Sequence, residues 1–351
     1  MTLSPAPEIN ARVENYVGRI TLNRPGALHA LTTAMCLAVT EALKAWREDP
    51  RVDLVLIDNA GERGFCAGGD IRAMAKAGAE DPDAGAAFFF AEYQMDELLQ
   101  RYPKPVAAIM DGVTMGGGVG LSAYCAYRIA TERTLWAMPE TGIGLFPDIG
   151  AGWLLSRLPG EYGTWMALTG ARLKAADLLY LKLATHHVPA ARIEALKVAL
   201  LANPLEARRI LMRFHDDPGP APLSGKQAAL DALFGHDTME AIMAALQAGS
   251  SWAQEQAAIL ATRSPTSMKV ALRELRQARD MSSFADEIAV EYRLACRMIR
   301  TPDFQEGVRA VVIDKDNAPR WSPARLEDVT DAMVDALFAR FTDRLKWTPI
   351  L

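Results

Sequence analysis

Two acidic residues stand out because the chain around them is otherwise uncharged. Glu140 and Asp148 lie eight positions apart in the segment 139–150, PETGIGLFPDIG, which contains no other charged residue. Burying a carboxylate is costly, and apolar surroundings raise its pKa towards values that suit acid–base chemistry. We therefore predict catalytic roles for both residues. Asp148 could also cap a helix over 151–158, and Glu140 could instead pair with a nearby arginine.

Two glycine-rich loops offer a second kind of chemistry, which the backbone carries. The loops FCAGGDI at 65–71 and GVTMGGG at 112–118 each follow a strand-like run and precede a helix-like run. Glycine lets backbone N–H groups point unobstructed into a pocket, and a helix N-terminus adds partial positive charge. Two such amides from separate loops can form an oxyanion hole. Taken singly, the same glycines would serve tight turns and close packing of helix on strand.

Several other kinds of site are not predicted. The spacing of Gly116, Gly118 and Leu121 does not fit a dinucleotide-binding loop, and the chain has neither a P-loop nor a GxSxG nucleophile motif. His186 and His187 are adjacent and therefore point in different directions on a helix or a strand, so no metal centre is expected. We expect most of the histidines at the surface. The four cysteines are scattered, which is typical of free or buried thiols.

The alternation of strands and helices in the first half of the chain indicates how these residues are positioned. Periodicity predicts strands over 17–22, 52–57 and 105–110, and helices over 33–46, 88–102 and about 119–127. Glycine-bearing loops follow the strands, as in an α/β core with parallel strands and its sites on loops. The fold class predicted for this half is therefore α/β.

Strand signals fade beyond about residue 195, and helical patterns take over. A Pro-rich segment at 216–224 is predicted to be a loop or linker, and Ser224, Ser251 and Ser264 to cap some of the helices that follow. The predicted helices cover 227–234, 238–247, 252–262, 267–279 and about 283–300. We therefore divide the chain into an α/β core over 1–200 and a mostly helical region over 201–351.

Length and charge limit the classes of partner. A chain of 351 residues suggests about two domains, and its formal net charge of −5 gives no general attraction for nucleic acid. No apolar run approaches the roughly 18 residues that span a bilayer. The N-terminal segment is poor in arginine and carries Glu8 and Glu14, which argues against a targeting peptide. We expect a cytoplasmic protein with no nucleic-acid or membrane partner.

Taken together and in order, a set of motifs resembles the crotonase (enoyl-CoA hydratase/isomerase) superfamily. The motifs span most of the chain: LNRP at 22–25, AL at 30–31, FCAGGDI at 65–71, DGVTMGGGVGLS at 111–122, PETGIGLFPDIG at 139–150, SPTS at 264–267, EGVRA at 306–310 and DKD at 314–316. The resemblance implies a repeated ββα core, a helical C-terminal region that often supports homo-oligomers, and a coenzyme A thioester as substrate. It implies no cofactor and no metal, since coenzyme A is part of the substrate.

The resemblance also implies the residues of the site. The backbone amides of Gly69 and Gly117 would form the oxyanion hole. The residues that would bind the substrate and its coenzyme A are Asn23, Arg24, Ala30, Leu31, Ala67, Gly68, Asp70, Gly116 and Lys315, the last of them near the phosphates. At His29 the chain departs from the family, in which many members have asparagine, so no role is carried over to that position.

The carboxylates indicate a branch of the superfamily. Hydratases of this family use two glutamates; the first would fall at Gly120, which has no side chain, and the second is present as Glu140. Asp148 stands where simple hydratases usually have glycine. This combination, with the segments 291–298 and 306–321, resembles the 3-hydroxyisobutyryl-CoA hydrolases.

The branch implies hydrolysis of a short-chain 3-hydroxyacyl-CoA thioester. Glu140 would act as nucleophile or as general base, and Asp148 would orient the 3-hydroxyl group or move a proton. The acyl group, for which 3-hydroxyisobutyryl and a role in valine breakdown are expected, is implied only by the resemblance. A hydratase or isomerase that uses Glu140 alone and a non-catalytic acyl-CoA-binding protein stay open as alternatives.

Overall fold

A computed structural model describes residues 7–340 and 346–350 of the chain. The described residues form two compact units that alternate along the sequence. The first unit comprises 7–69, 94–136 and 173–222, and the second comprises 70–93, 137–172 and the described residues from 223 onwards. This division differs from the single predicted cut after residue 200, because each unit is built from three separate segments.

The strands form two sheets. In chain order they are β1 (Ile9–Glu14), β2 (Val17–Leu22), β3 (Leu54–Asn59), β4 (Gly64–Cys66), β5 (Val106–Met110), β6 (Val113–Met115), β7 (Tyr127–Ala130), β8 (Leu135–Ala137) and β9 (His186–His187). A six-stranded sheet has the order β1-β2-β3-β5-β7-β9, and a three-stranded sheet has the order β4-β6-β8. The pair β1–β2 is antiparallel, and each following pair in the larger sheet is parallel.

Helices occupy most of the remaining described chain. In chain order they are α1 (Thr33–Trp46), α2 (Ile71–Glu80), α3 (Pro82–Gln100), α4 (Gly117–Ala123), α5 (Ala151–Leu155), α6 (Tyr162–Thr169), α7 (Ala175–Tyr180), α8 (Ile193–Ala202), α9 (Ala207–Phe214), α10 (Gln227–Phe234), α11 (Met239–Ala248), α12 (Ser251–Leu260), α13 (Pro265–Arg279), α14 (Phe284–Met298), α15 (Pro302–Val308) and α16 (Asp331–Phe338). A short 3-10 helix, Glu140–Ile143, precedes α5, and a π-helical turn, Arg309–Ile313, follows α15. No helix in the described part of the chain is both long and apolar enough to cross a bilayer.

The sheets repeat a strand pair. In β3–β4, β5–β6 and β7–β8, the first strand joins the larger sheet and the second joins the smaller one; α2 follows the first pair and α4 the second. Between β5 and β6 the chain passes from the larger sheet to the smaller one at Gly112. This glycine has a φ of +94°, and a Cβ there would lie 2.8 Å from the Cα of Gly64. Only glycine takes that conformation at so close an approach. The predicted α/β class with a repeated ββα core is confirmed.

The apolar core of the first unit follows from two sequence periods. Alternate strand residues, such as Leu54 and Leu56, are buried together with Ile193, Leu196 and Leu200, which recur at helical spacing on α8. The period of two and the period of three to four each give an element one apolar face, and the two faces pack together. Burying one such side chain contributes roughly 1.5–3 kcal/mol.

The second unit is helical apart from the end of β8. Its helix α13 packs against α5 and α6, and α14 packs against α5 and α16. The predicted cap is confirmed at Ser264, whose Oγ accepts a hydrogen bond from the amide of Ser267 at 3.0 Å. The other two predicted caps are wrong: Ser250 caps α12 in place of Ser251, and α10 begins after Lys226 without a side-chain cap, so Ser224 caps nothing there.

Candidate active site

In the first unit, the backbone joins two of the segments predicted to bind the substrate. The amide of Leu31 donates to the carbonyl of Gly68 at 2.8 Å, and the amide of Ala67 donates to the carbonyl of Leu28 at 3.0 Å. These bonds place Ala30 and Leu31 beside Ala67 and Gly68, although the two segments are far apart in sequence. The thiol of Cys66 adds a hydrogen bond to the carbonyl of His29 at 3.2 Å.

The two glycine loops also lie against each other. Gly68 has a φ of +107°, and a Cβ added there would lie 3.3 Å from the carbonyl oxygen of Met115 and 3.6 Å from the amide nitrogen of Gly117. A Cβ at Gly118 would collide with the carbonyl oxygen of Cys66. Close packing therefore accounts for Gly68 and Gly118, and it brings the predicted oxyanion loops together within the first unit.

The amides of Gly69 and Gly117 are available for a ligand. Neither donates a hydrogen bond to another described residue, and Gly117 is buried. Buried backbone N–H groups are rarely left without an acceptor. A negatively charged or polarised oxygen of a ligand could accept hydrogen bonds from these two N–H groups.

Three of the polar residues predicted to bind the substrate are held by other groups. Asp70 caps α2, its side chain accepting from the amide of Ala73 at 3.2 Å. Arg24 donates to the carbonyl of Ala30 at 2.9 Å, and Asn23 donates to the carbonyl of Pro7 at 3.0 Å. These side chains stabilise the loops, and Arg24 shapes the turn that leads to Ala30.

His29 is a structural residue of that turn. Its ring accepts at Nδ1 from the amide of Arg24 at 3.0 Å, so the opposite nitrogen, Nε2, donates to the carbonyl of Ala60 at 2.9 Å. Burial lowers the pKa of His29, which keeps the ring neutral. His29, His186 and His187 are all buried, so the expectation that most histidines lie at the surface is wrong.

Lys315 is exposed on a loop of the second unit. Its backbone has a φ of +59°, and Arg309 holds the loop on both sides through ion pairs to Asp314 and Asp316, each at 2.7 Å. Arg309 also pairs with Glu306 at 2.8 Å. The amino group of Lys315 is therefore carried by a braced loop and remains accessible to an anion.

Glu140 begins the 3-10 helix of the second unit and is buried. Its Oε2 has no hydrogen-bond partner among the described residues. Burial raises the pKa of Glu140 well above its usual range, and the charges of Asp148 and Glu92 raise it further. The groups that act on Glu140 are carboxylates, so the alternative of a structural pair with arginine finds no support.

Asp148 is buried in the same unit and is held by a tyrosine. The hydroxyl of Tyr93 donates to Oδ2 of Asp148 at 2.7 Å. Burial raises the pKa of Asp148 to about 6, and the hydrogen bond from Tyr93 opposes that rise. The alternative in which the side chain of Asp148 caps a helix is wrong, because α5 has Gly150 at its N-cap and no side-chain cap. The amide of Ala151 donates to the main-chain carbonyl of Asp148 at 3.1 Å, and that of Gly152 donates to Glu291.

Glu291 takes the role that the sequence suggested for Asp148. Its carboxylate accepts from the amide of Gly150 at 2.6 Å and from the amide of Gly152 at 3.2 Å. Glu274, Glu287 and Glu291 have oxygens within 4.8 Å of one another, a spacing that could hold a metal ion. Burial raises the pKa of each, that of Glu287 to about 8, so Glu287 holds a proton at neutral pH.

The structure adds residues that sequence reasoning missed. Glu92 and Tyr93 on α3 act on Glu140 and Asp148 within the second unit, and Glu291 holds the turn after Asp148. In the first unit, Asp96 is fully buried, and a Cβ at Gly120 would lie only 2.6 Å from its Oδ1. Glu92 and Asp96, which lie four positions apart in the largely apolar stretch 88–99, were the available signal.

Comparison with known proteins gives consistent matches along the chain. A family profile described as enoyl-CoA hydratase/isomerase matches residues 17–338. A Gallus gallus protein named "3-hydroxyisobutyryl-CoA hydrolase, mitochondrial" is 42% identical over 95% of this chain and 89% of its own length. Its Danio rerio counterpart of the same name is 44% identical over 93% of this chain and 88% of its own length.

A solved structure is also similar over almost the whole chain. The crystal structure of a carnitinyl-CoA dehydratase from Mycobacterium thermoresistibile has a TM-score of 0.93 and 40% sequence identity, and the match covers 97% of this chain and 99% of the other. The proteins matched by sequence and by structure therefore carry two different activities in their names.

Proposed function

The chain belongs to the enoyl-CoA hydratase/isomerase family, and from that premise we propose that it hydrolyses a short-chain 3-hydroxyacyl-CoA thioester, with 3-hydroxyisobutyryl-CoA as substrate. The products are the free hydroxy acid and coenzyme A. The curated relatives named above, at 42% and 44% identity, carry this activity in their names. The proposal adds the residues that would perform the reaction.

The observation that favours hydrolysis over hydration is the close approach of Asp96 to Gly120. A glutamate is expected at this position in a hydratase, but the carboxyl group of Asp96 fills the place where a side chain would begin, 2.6 Å from the ideal Cβ. A second catalytic glutamate cannot be added there without displacing a buried acid. Addition of water across a double bond would then lack one of its two acid–base groups, whereas hydrolysis can proceed through Glu140.

The proposed oxyanion hole consists of the amides of Gly69 and Gly117. As the thioester carbon becomes tetrahedral, its oxygen gains negative charge and accepts hydrogen bonds from both N–H groups. A single preorganised donor of this kind typically lowers the barrier by about 3 kcal/mol. The lack of any other acceptor for these two amides among the described residues supports the assignment.

Glu140 would carry out the bond-making step in one of two ways. As a nucleophile, its carboxylate bonds to the thioester carbon, the C–S bond breaks, the thiolate leaves and takes up a proton, and water then cleaves the mixed anhydride. As a general base, it takes a proton from a water molecule that attacks the same carbon; the C–S bond then breaks, and the leaving thiolate takes up that proton. Single turnover in H₂¹⁸O separates the routes, because only the anhydride route can leave ¹⁸O in the Glu140 carboxyl group.

The other site residues have supporting roles in the proposal. Asp148, as a carboxylate, would accept a hydrogen bond from the 3-hydroxyl group of the substrate. Lys315 would contact a phosphate of coenzyme A. The loop residues expected to line the coenzyme A site are Asn23, Arg24, Ala30, Leu31, Ala67, Gly68, Asp70 and Gly116; three of their side chains already brace the loops, so backbone contacts would dominate.

A second candidate function is hydration or dehydration of an acyl-CoA with Glu140 as the acid–base group. The name of the solved Mycobacterium thermoresistibile structure favours it. This alternative predicts that crotonyl-CoA loses its conjugated enoyl absorbance in the presence of the protein. The hydrolase proposal predicts that the absorbance is stable.

The deciding experiment is a thiol-release assay with a thiol-reactive dye. The substrates are 3-hydroxyisobutyryl-CoA, 3-hydroxypropionyl-CoA, acetyl-CoA and crotonyl-CoA, with a blank that lacks enzyme. We expect rapid release from the hydroxy esters and little from the other two. Release from no ester, together with loss of the enoyl absorbance, would overturn the proposal in favour of the second candidate.

Three further expectations about the protein belong to the same proposal. They are a cytoplasmic location, a role in valine breakdown, and assembly into a homo-oligomer. The curated relatives carry the word mitochondrial in their names, so location needs a direct test by cell fractionation. Size-exclusion chromatography with light scattering measures the oligomeric state.

A further inference from the structure

Tyr93 is fixed in position by an aromatic cluster of the second unit. The residue is fully buried on α3, and its ring centroid lies 5.7 Å from that of Phe89 and 6.3 Å from that of Tyr292. Packing on two sides leaves the ring little freedom to rotate. The hydroxyl group is therefore aimed at Oδ2 of Asp148, where it donates a hydrogen bond at 2.7 Å.

The backbone that follows Asp148 is held separately. Ile149 has a φ of +62°, which is unfavourable for a β-branched residue, and Gly150 has a φ of +79°. The carboxylate of Glu291 bonds to the amides of Gly150 and Gly152 and so stabilises this turn. Asp148 thus has a fixed main chain on one side and a fixed hydrogen-bond donor on the other.

Asp148 lies among other buried acids of the second unit. Its charge raises the pKa of Glu140 from the 3-10 helix, Glu274 from α13 and Glu291 from α14. Burial raises the pKa of Asp148 itself, whereas hydrogen bonds from the Tyr93 hydroxyl and from the main-chain amide of Asp148 lower it. Tyr93 on α3 is therefore the side chain that favours the charged form of Asp148.

We propose that Tyr93 is a positioning residue that holds Asp148 as a carboxylate, and that this carboxylate accepts a hydrogen bond from the 3-hydroxyl group of the substrate. The inference rests on the proposed function and deepens it, because it makes the Tyr93–Asp148 pair the determinant of 3-hydroxyacyl specificity. A protonated or rotated Asp148 would lose the acceptor that distinguishes a 3-hydroxyacyl ester from the same ester without a hydroxyl group.

Two matched substrates test this pair. The ratio of kcat/KM for 3-hydroxyisobutyryl-CoA to that for isobutyryl-CoA measures recognition of the hydroxyl group alone. In Tyr93→Phe we expect this ratio to fall by about 10-fold, in line with the loss of a hydrogen bond to a charged acceptor. The acid limb of the pH profile for the hydroxy ester should move to higher pH, because Asp148 loses the donor that favours its ionised form.

The control is Tyr292→Phe. Tyr292 belongs to the same aromatic cluster, but its hydroxyl donates to the carbonyl of Ala86 at 3.3 Å and not to Asp148. We expect this variant to keep both the substrate ratio and the acid limb of the parent protein. An equal loss of the ratio in both variants would show a packing effect and would overturn the inference.

A second measurement keeps the test decisive if Tyr93→Phe does not fold. Replacement of Tyr93 by 3-fluorotyrosine preserves the shape of the ring and makes the hydroxyl a stronger donor. The acid limb should then move to lower pH, and an unmoved limb would contradict the inference. If the parent protein releases no coenzyme A at all, the proposed function and this inference fail together. If it releases coenzyme A but the ratio of the two kcat/KM values is the same in Tyr93→Phe as in the parent protein, only the inference fails.

Discussion

Under the proposed function, the two units would contribute chemistry of opposite kinds. In the first unit, the proposed groups are the backbone amides of Gly69 and Gly117, and the side chain of Arg24 nearby holds a loop. In the second unit, the proposed groups are the side chains of Glu140 and Asp148, and burial raises the pKa of both. The first unit should therefore be sensitive to a Cβ added at its closely packed glycines, and the second to a change of charge at its buried carboxyl groups.

The largest effect is expected from Glu140→Gln, which changes charge at nearly constant shape. Neither nucleophilic attack nor proton removal is possible for an amide, so we expect kcat to fall by roughly 10³-fold or more. Binding of the coenzyme A ester, measured by calorimetry with a non-hydrolysable analogue, should be nearly unchanged. Glu255→Gln, at an exposed position of the same unit, is the control. Substantial remaining turnover in Glu140→Gln would remove Glu140 from the mechanism.

The next effect tests the sensitivity of the first unit to a single Cβ. In Gly120→Ala the new methyl group would meet the buried carboxyl group of Asp96, and we expect the free energy of unfolding to fall by about 1–3 kcal/mol. Gly26→Ala adds the same methyl group where no atom lies within 4 Å, and it should be neutral. Thermal unfolding of both variants measures the difference. A stable Gly120→Glu variant that hydrates crotonyl-CoA would contradict the argument that Asp96 blocks this position.

The length of an element decided whether it could be predicted from the sequence. Helices α1 and α10 have the predicted bounds, since a period of 3.6 over eight or more residues is a strong signal. Strands β4, β6 and β8 have three residues each, too few to show an alternation, and were missed. Their positions depend on pairing between segments distant in sequence.

The site divides in a similar way. Glu140 and Asp148 could be found because an apolar segment makes a carboxylate conspicuous, and the structure shows that both are buried. Tyr93 and Glu291 could not, because their partners lie 55 and 141 positions away and local sequence gives no sign of the pairing. The catalytic roles of Glu140 and Asp148 and the oxyanion roles of Gly69 and Gly117 stay predictions.

The buried carboxyl groups of the second unit should make stability fall as the pH rises. The ordinary pKa values of Asp148 and Glu287 are 3.8 and 4.5, and burial raises them to about 6 and about 8 in the folded protein. The folded state then binds protons more tightly than the unfolded one, so this stabilisation is complete below about pH 4 and is lost as the pH rises through 6 and then 8.

We therefore expect Tm to fall from pH 6 to pH 9, by at least roughly 2–4 °C. In Glu287→Gln the part of the decline near pH 8 should disappear, because the amide does not titrate. Differential scanning calorimetry at several pH values measures both. A decline of equal size in the variant would show that the cluster of Glu274, Glu287 and Glu291 does not hold its protons as the structure indicates.

The smallest effect is expected at the exposed Lys315. Its replacement by alanine removes a charge that would contact a phosphate of coenzyme A in water, where a single ion pair contributes no more than about 1 kcal/mol. We expect KM for the ester to rise by a few fold with kcat unchanged, and the difference from the parent to shrink at high salt. Lys76→Ala is the matched control, because Lys76 is an exposed lysine of the same unit whose one ion pair among the described residues is with Glu80 at 3.8 Å. A KM that rises equally in both variants would mean that general charge, and not contact at Lys315, attracts the substrate.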